Sequence, residues 1–386
     1  MGDNNFYGDM IRLTGFVIDF YETVKIGTES VIDKIFITGI SPIMLDDLTS
    51  GFNIATNLTL NKIFNGMLGF TEIEVKNIIK LLKIDDGEKE LLNKLRKNYN
   101  GYLFSKNGEQ TLYNPDMILN FFNQWLMTGD YPDKLIDDNV RTDYGRLNRL
   151  IANEKNRQVV EGILADEGIT TDIVTRFSFD RMYDQEYFVS LLYYMGLLTI
   201  KGERYGKTRL GIPNHVTRVI FWEYFERKLR DKYNIKYDTE ELAKSIWRLG
   251  FDGEIEPFVS YVSENVLKKL SNRDLINFDE KYIKVILFSY LITSNLYRPV
   301  SEPEIENGYL DIFLERDIRM PDVKYEWVIE LKYLKKNEKD RLEKVKKEGL
   351  SQLERYADSR KLEGKKNIKK VLLVFIGKDE FKIFTK

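Results

Sequence analysis

The sequence predicts a mixed α/β protein, and three observations carry that reading. Apolar residues alternate at period two in GYLDIFL (308–314) and WVIELKY (327–333), as they do in half-buried strands joined by a longer hairpin loop. An apolar helical run, DEKYIKVILFSYLITSNL from Asp279, comes before them, followed by YRPVSEPEIEN, which has room for a short first strand. Behind them lies a charged amphipathic helix through Leu342, Val345, Leu353 and Tyr356, then two closing strands, KKVLLVFIG and FKIFTK. The order helix, three strands, helix, strand, final strand is one compact α/β unit over residues 273–386. A chain of 386 residues exceeds what one ordinary core needs, so two or three domains are expected. The others are placed at 1–130 and at 131–272, the latter mainly helical with a β-hairpin near 196–212.

Taken in order, residues 6–26 carry a helical pattern. Asp33 to Gly39, DKIFITG, reads as a short buried parallel strand ending in glycine. Thr71 with Glu74 three residues later is a capping box that opens a helix, and a second helix runs through Leu91 to Asn98. NYNGYLF turns into a strand, and Pro115 after Asn114 takes the first position of another helix. The stretch 131–270 is mostly helical, interrupted around GERYGKT. That phrase has three residues between its glycines where a phosphate-binding P-loop has four, and strands flank it on both sides, so it is a hairpin turn. No other P-loop pattern and no GxGxxG occurs in the sequence.

Composition excludes several kinds of chemistry. Cysteine is absent, which removes disulfides, thiolate nucleophiles and Cys-ligated zinc. The single histidine, His215, falls where a turn enters a helix and reads as a helix-start residue. A metal here would therefore be hard and oxygen-ligated: magnesium, manganese or calcium. No run is long and apolar enough to span a bilayer and the N-terminus has no signal-peptide pattern, so a cytoplasmic protein without membrane contact is expected. The net charge of −2 is no general attractant for nucleic acid, but Lys332 to Lys370 is dense in lysine and arginine. Interspersed glutamates make much of that stretch a solvated helix face, while lysines beside a carboxylate site are also where a phosphate backbone would be held.

Strand alternation gives the chemistry its place. Val328, Glu330 and Lys332 share one face of their strand, and Trp327, Ile329, Leu331 and Tyr333 share the other. In suitable register Asp311 of the preceding strand joins Glu330 and Lys332, giving two carboxylates and an ammonium at one spot. Two carboxylates can hold a divalent metal. An acid two positions before a lysine recurs elsewhere, as in Glu74 and Lys76 or Glu380 and Lys382. The setting inside an apolar strand, where charge is costly unless paired or metal-bound, sets Glu330 apart. The same spacing also allows a half-exposed sheet face with a solvated ion network.

Helix, three strands carrying Asp and then ExK, helix, strand resembles the core of the PD-(D/E)XK nuclease superfamily, a restriction-endonuclease-like αβββαβ arrangement. More widely, FITGISPIMLDDLTSGFNIATNLTL, LGFTEIEV, NYNGYLF, YNPDMILNFF and LGIPN resemble stretches of bacterial and archaeal proteins that join an AAA-ATPase-like region to such a nuclease. The resemblance implies Asp311 and Glu330 as ligands of Mg2+ or Mn2+, Leu331 contributing its backbone carbonyl, and Lys332 orienting the attacking water and stabilising charge on the phosphate. It implies accessory roles for Glu280, Gln352 and Tyr356. It also implies nucleic acid, DNA or RNA, as substrate. The ITG strand would correspond to an ATPase sensor strand, with Thr38 and Ser41 near a γ-phosphate position. The P-loop half that family members carry upstream of it is missing from this sequence, so no ATPase activity is expected, and a partner could supply that half. The alternative is a non-catalytic nucleic-acid-binding or scaffolding protein that keeps a nuclease-like fold.

Overall fold

The computed structural model describes residues 16–39, 54, 56–84, 87–136, 151, 153–175, 181, 184–271, 279–301, 304–305, 308–356, 365 and 367–386. It divides into two compact units, one of residues 1–119, 137–163 and 167–217, the other of residues 120–136, 164–166 and 218–386.

The first unit opens with helices α1 (Phe16–Gly27), α2 (Glu72–Leu81) and α3 (Glu88–Tyr99), then the antiparallel strands β1 (Asn100–Tyr102) and β2 (Leu112–Tyr113). The capping box of α2 is present in both directions. Thr71 Oγ1 accepts the Glu74 N–H at 3.3 Å, and the Glu74 carboxylate accepts the Thr71 N–H at 2.7 Å. Arg96 of α3 closes a two-pronged pair on Glu72 at 2.6 and 2.7 Å. Gly101 has φ +119°, and a Cβ there would stand 2.2 Å from the Pro213 carbonyl oxygen, so only glycine fits. Pro115 starts α4 (Pro115–Thr128), and the Asn114 side chain accepts the Met117 N–H at 3.1 Å. After α5 (Glu154–Asp166) come β3 (Ile169–Thr171), α6 (Gln185–Tyr194), β4 (Thr199–Arg204) and β5 (Lys207–Gly211), with the strands forming an antiparallel sheet in the order β3-β5-β4. The β4–β5 turn is made by Tyr205 and Gly206 at φ +54° and +76°, the two-residue geometry whose twist suits a hairpin.

One sequence expectation fails in this unit. Residues 33–39 form no strand, and Phe36 and Ile37 are exposed. A β-branched run becomes a strand only where a neighbour takes its N–H and C=O groups, and no described strand pairs with this one. Thr38 is exposed in the same segment, and Ser41 lies outside the described residues. The helix expected over 6–26 is described from Phe16.

The second unit contains α7 (His215–Tyr233) from Arg218 on, α8 (Thr239–Phe251), α9 (Glu256–Asn265) and α10 (Glu280–Leu291). Then come β6 (Tyr297–Ser301), β7 (Glu304–Ile305), β8 (Gly308–Tyr309), β9 (Ile312–Arg316), β10 (Glu326–Leu334), α11 (Leu342–Tyr356), β11 (Ile368–Ile376) and β12 (Glu380–Thr385). The main sheet runs β12-β11-β10-β9-β6, with β10 and β11 parallel and its other pairs antiparallel. The parallel pair needs a crossover, and α11 supplies it.

Both faces of this sheet are covered, which is why β10 and β11 are near-continuous apolar runs. On one face Val328, Leu334, Leu372, Val374 and Ile376 pack with Val345 and Leu353 of α11. Gly349 lets that helix lie close, since a Cβ there would meet Leu372 Cδ1 at 2.6 Å. On the other face Ile312, Leu314, Ile329 and Leu373 meet Leu249 of α8, Phe258 of α9 and Leu287 and Phe288 of α10. Residues 283–291 of α10 are all buried, as its all-round apolar pattern predicts; each large side chain there contributes about 1.5–3 kcal/mol. The stretch GYLDIFL is not one strand. Gly308–Tyr309 pairs with Glu304–Ile305 in a separate two-stranded piece, and the chain bends at Asp311 before β9 begins.

Candidate active site

The β9–β10 ladder pairs Trp327 with Leu314, Val328 with Phe313 and Ile329 with Ile312, and there it ends. One further step of the same register sets Glu330 opposite Asp311. Beyond that point β10 continues to Leu334 with its inner edge no longer taken by β9. The two N–H groups released on that edge are met by carboxylates instead. Leu331 N–H donates to Asp311 Oδ2 at 3.0 Å, and Tyr333 N–H donates to Glu280 Oε1 at 3.2 Å. Glu280 is the first residue of α10, held there by its cap Asp279, whose side chain accepts the Tyr282 N–H at 2.9 Å. Thus the end of one ladder and the start of one helix bring two acids to the strand that carries a third.

That third acid, Glu330, is 1% exposed. Lys332, two residues on and on the same face, places its ammonium 2.7 Å from Glu330 Oε1 and 3.6 Å from Asp311 Oδ2. The first contact is a close ion pair, while Glu330 Oε2 has no hydrogen-bond partner among the described residues. The other buried acid of β10 makes the contrast. Glu326, also 1% exposed, takes the Lys365 ammonium at 2.9 and 3.0 Å and the Arg316 N–H at 3.1 Å. Glu326 is saturated as a structural acid would be; Glu330 retains acceptor capacity.

Electrostatics follow the geometry. Burial, reinforced by the Asp311 charge and opposed by Lys332, pushes the Glu330 carboxyl up to about 7. Burial also raises Glu280, with Lys332 and the Tyr333 N–H pulling it back. Burial pulls the Lys332 ammonium down, but its contact with Glu330 and the charges of Asp311, Glu330 and Glu280 outweigh that and hold it above the ordinary lysine range. Glu330 is an acid that a second positive charge would ionise.

Could these residues hold a metal ion? Among the described residues no group of three or more acidic or histidine side chains converges as a ready ligand set. Two carboxylates do face one another across the end of the ladder, and the buried Glu330 Oε2, with no hydrogen-bond partner among the described residues, is the kind of acceptor a hard cation satisfies. Because N–H and C=O of one strand residue point to the same side, Leu331 turns its carbonyl to the Asp311 edge that its N–H faces. The donor set, all oxygen, fits Mg2+ or Mn2+.

The remaining expected residues are less engaged. Gln352 sits on α11, the helix that covers the Glu330 face, with a buried Oε1 that has no hydrogen-bond partner among the described residues. Tyr356 closes α11, and its side chain lies outside what is described. Sequence reasoning missed the Glu326–Lys365 pair, although an acid at the first position of an apolar strand was its visible signal. It also missed that Glu280 would cap a released strand N–H, for which no pattern in the sequence speaks.

Comparison with known families points to the same region. The family model of the PD-(D/E)XK nuclease superfamily matches residues 278–385. No curated protein matches the chain. The chain therefore carries a PD-(D/E)XK nuclease superfamily domain, spanning α10 to β12, and the sheet of that region is consistent with such a core. Members of that superfamily are typically nucleases, so the match supports an enzyme of the hydrolase kind. No described helix is long and apolar enough to cross a membrane.

Proposed function

We propose that the protein is a nuclease dependent on Mg2+ or Mn2+ that hydrolyses phosphodiester bonds in DNA or RNA. The observation that carries this reading is the pairing of Glu330, buried and with its Oε2 unmet by any donor among the described residues, with Asp311 and Lys332 inside the region that matches a nuclease family. Asp311, Glu330 and the Leu331 carbonyl are the residues that would hold the ion. A bound divalent ion supplies polarisation of the phosphate and a lowered pKa for an attached water. The chain's own residues do the rest. Lys332 keeps a full positive charge beside the carboxylates, from which it neutralises charge that accumulates on the phosphate and orients the attacking water. Glu280 holds the strand edge at Tyr333 and adds negative charge near Lys332. Gln352 and Tyr356 are assigned accessory positions on α11.

The ATPase-like reading of residues 1–130 belongs to the same proposal, as does the division at 130 and 272 and a cytoplasmic location. It predicts no ATP turnover by this polypeptide, and turnover would overturn it. The nuclease reading is tested by incubating single- and double-stranded DNA and RNA with the protein and Mg2+ or Mn2+, alongside Glu330→Ala. Cleavage that needs the metal and vanishes in the variant is expected. A wild-type protein that binds nucleic acid but never cuts it would turn the reading to the non-catalytic binding or scaffolding alternative.

A further inference from the structure

The five-stranded sheet of the second unit ends in two edge strands, β6 and β12, and the two edges are built differently. An open edge presents unpaired N–H and C=O groups that another strand can take. At β6 the Asp317 N–H donates to the Leu296 carbonyl at 3.0 Å, so the alternation of the ladder turns the backbone groups of Tyr297, Pro299 and Ser301 outward. Proline has no N–H to offer there, which blunts that edge. At β12 the Lys386 N–H donates to the Lys370 carbonyl at 3.3 Å, so Glu380, Lys382 and Phe384 face β11 while Phe381, Ile383 and Thr385 turn their backbone groups outward. None of these three is a proline, and among the described residues no second strand pairs with them. Every residue of β12 is half-buried or exposed, whereas Val371 to Ile376 of β11 are buried.

This edge is complementary to itself. Two copies of β12 laid antiparallel pair all their outward groups in the register centred on Ile383; any other centre sets one of the three outward residues against residues outside β12. In that register Ile383 meets Ile383 of the second copy and Phe381 meets Thr385, an aliphatic pair flanked by aromatic–β-branched pairs on one face of the sheet. On the other face Glu380 stands opposite Lys386, and Lys382 stands opposite Phe384, so the strand ends carry opposite charges and a lysine stem covers each ring. Helix α11 leaves room, because it packs on β10 and β11, one strand back from the edge. The α11 helices of two copies would lie four strand spacings apart, about 19 Å, where helices in contact lie about 8–10 Å apart.

We infer that the chain forms a two-fold dimer through β12, joining the sheets of two copies into one continuous sheet. The inference does not rest on the nuclease reading, and its test involves neither metal nor cleavage.

Sedimentation velocity on the full chain up to about 100 μM is expected to show the dimer. Thr385 is exposed and its N–H points away from β11, so Thr385→Pro keeps the β11 ladder but removes one interchain hydrogen bond from each copy. The dissociation constant should rise about thirtyfold or more, two hydrogen bonds' worth. Glu380→Lys and Lys386→Glu each set like charges across the edge, and each variant alone should lose the dimer. An equal mixture of the two should regain it, because every facing charge is then opposite in sign. Each change also breaks an ion pair within its own copy, Glu380 with Lys339 or Lys386 with Glu354, but mixing cannot restore a chain that has failed to fold. A wild-type chain that stays monomeric up to about 100 μM overturns the inference and leaves the edge to a strand of another protein. A dimer that Thr385→Pro leaves at wild-type affinity overturns it too, since that dimer would use another surface.

Discussion

Asp311 Oδ2 accepts the Leu331 N–H at 3.0 Å at the step where β9 stops pairing with β10, so one carboxylate both terminates the ladder and faces Glu330. Two substitutions separate these roles. Asp311→Asn keeps an acceptor for the N–H but removes the charge. It should leave the melting temperature near wild type, lower the titration of Glu330 and abolish divalent-metal binding. Asp311→Ala also abolishes metal binding and in addition leaves the N–H without its acceptor, costing about 1 kcal/mol. Thermal melts and calorimetric titration with Mg2+ and Mn2+ on both variants check this. Equal metal affinity in Asp311→Asn and wild type would remove Asp311 from the ligand set.

Glu330 makes the stability of this region depend on pH in an unusual direction. Its carboxyl is raised from 4.5 to about 7 in the folded protein, so between those values the native state holds a proton that the unfolded chain has released. Stability contributed at low pH is therefore lost as pH rises through that window, by about 3 kcal/mol in the absence of metal. Glu330→Gln, which cannot ionise, should be more stable than wild type at pH 8 and of equal stability at pH 4.5. Denaturant titrations at the two pH values measure it. A wild-type-minus-variant difference that does not change with pH would show that Glu330 titrates in the folded protein as it does in the unfolded chain.

The same proton competes with the metal. Below the point near 7 where Glu330 loses it, a binding ion must displace it, so metal affinity should rise about tenfold per pH unit from pH 5 to 7 and level off above. Calorimetry in buffers of different ionisation enthalpy counts the proton released. Affinity flat across that range would mean that the ion, if it binds, does not use Glu330.

Much of this arrangement was legible in the residues. Period-two alternation around WVIELKY gave the face shared by Glu330 and Lys332, and the capping box at Thr71 and the proline at 115 marked helix starts, because each depends on contacts within a few residues. Asp311 was placed with Glu330 only on condition of register, and what settles register is the whole ladder from Trp327 to Ile329. The same dependence explains the failures. DKIFITG has the composition of a strand and no described partner, and GYLDIFL alternates through a bend because alternation records burial, not pairing. Glu280 on the Tyr333 N–H and Lys365 on Glu326 join residues 53 and 39 apart in sequence, and no local pattern announces either.

Lys332 separates a catalytic site from a buried ion network most sharply. Its ammonium is the positive charge within 4 Å of both Asp311 and Glu330, and it opposes the burial that drives Glu330 upward. Lys332→Met keeps the length and apolar stem while removing the charge. Without its partner Glu330 keeps its proton beyond pH 7, so stability at pH 8 should fall by about 1.4 kcal/mol, whereas at pH 5, where Glu330 is protonated in both proteins, the loss should nearly vanish. Both a catalytic and a structural lysine predict that much. The difference lies in activity measured with metal saturating: a lysine that acts on the phosphate predicts cleavage reduced about a hundredfold or more, with metal binding restored at higher pH. A structural lysine predicts cleavage that recovers in step with metal occupancy. Single-turnover cleavage at pH 8 over a Mn2+ series, set beside calorimetric occupancy on the same samples, decides between them, and recovery in step would leave Asp311 and Glu330 as metal ligands with Lys332 as their counterion only.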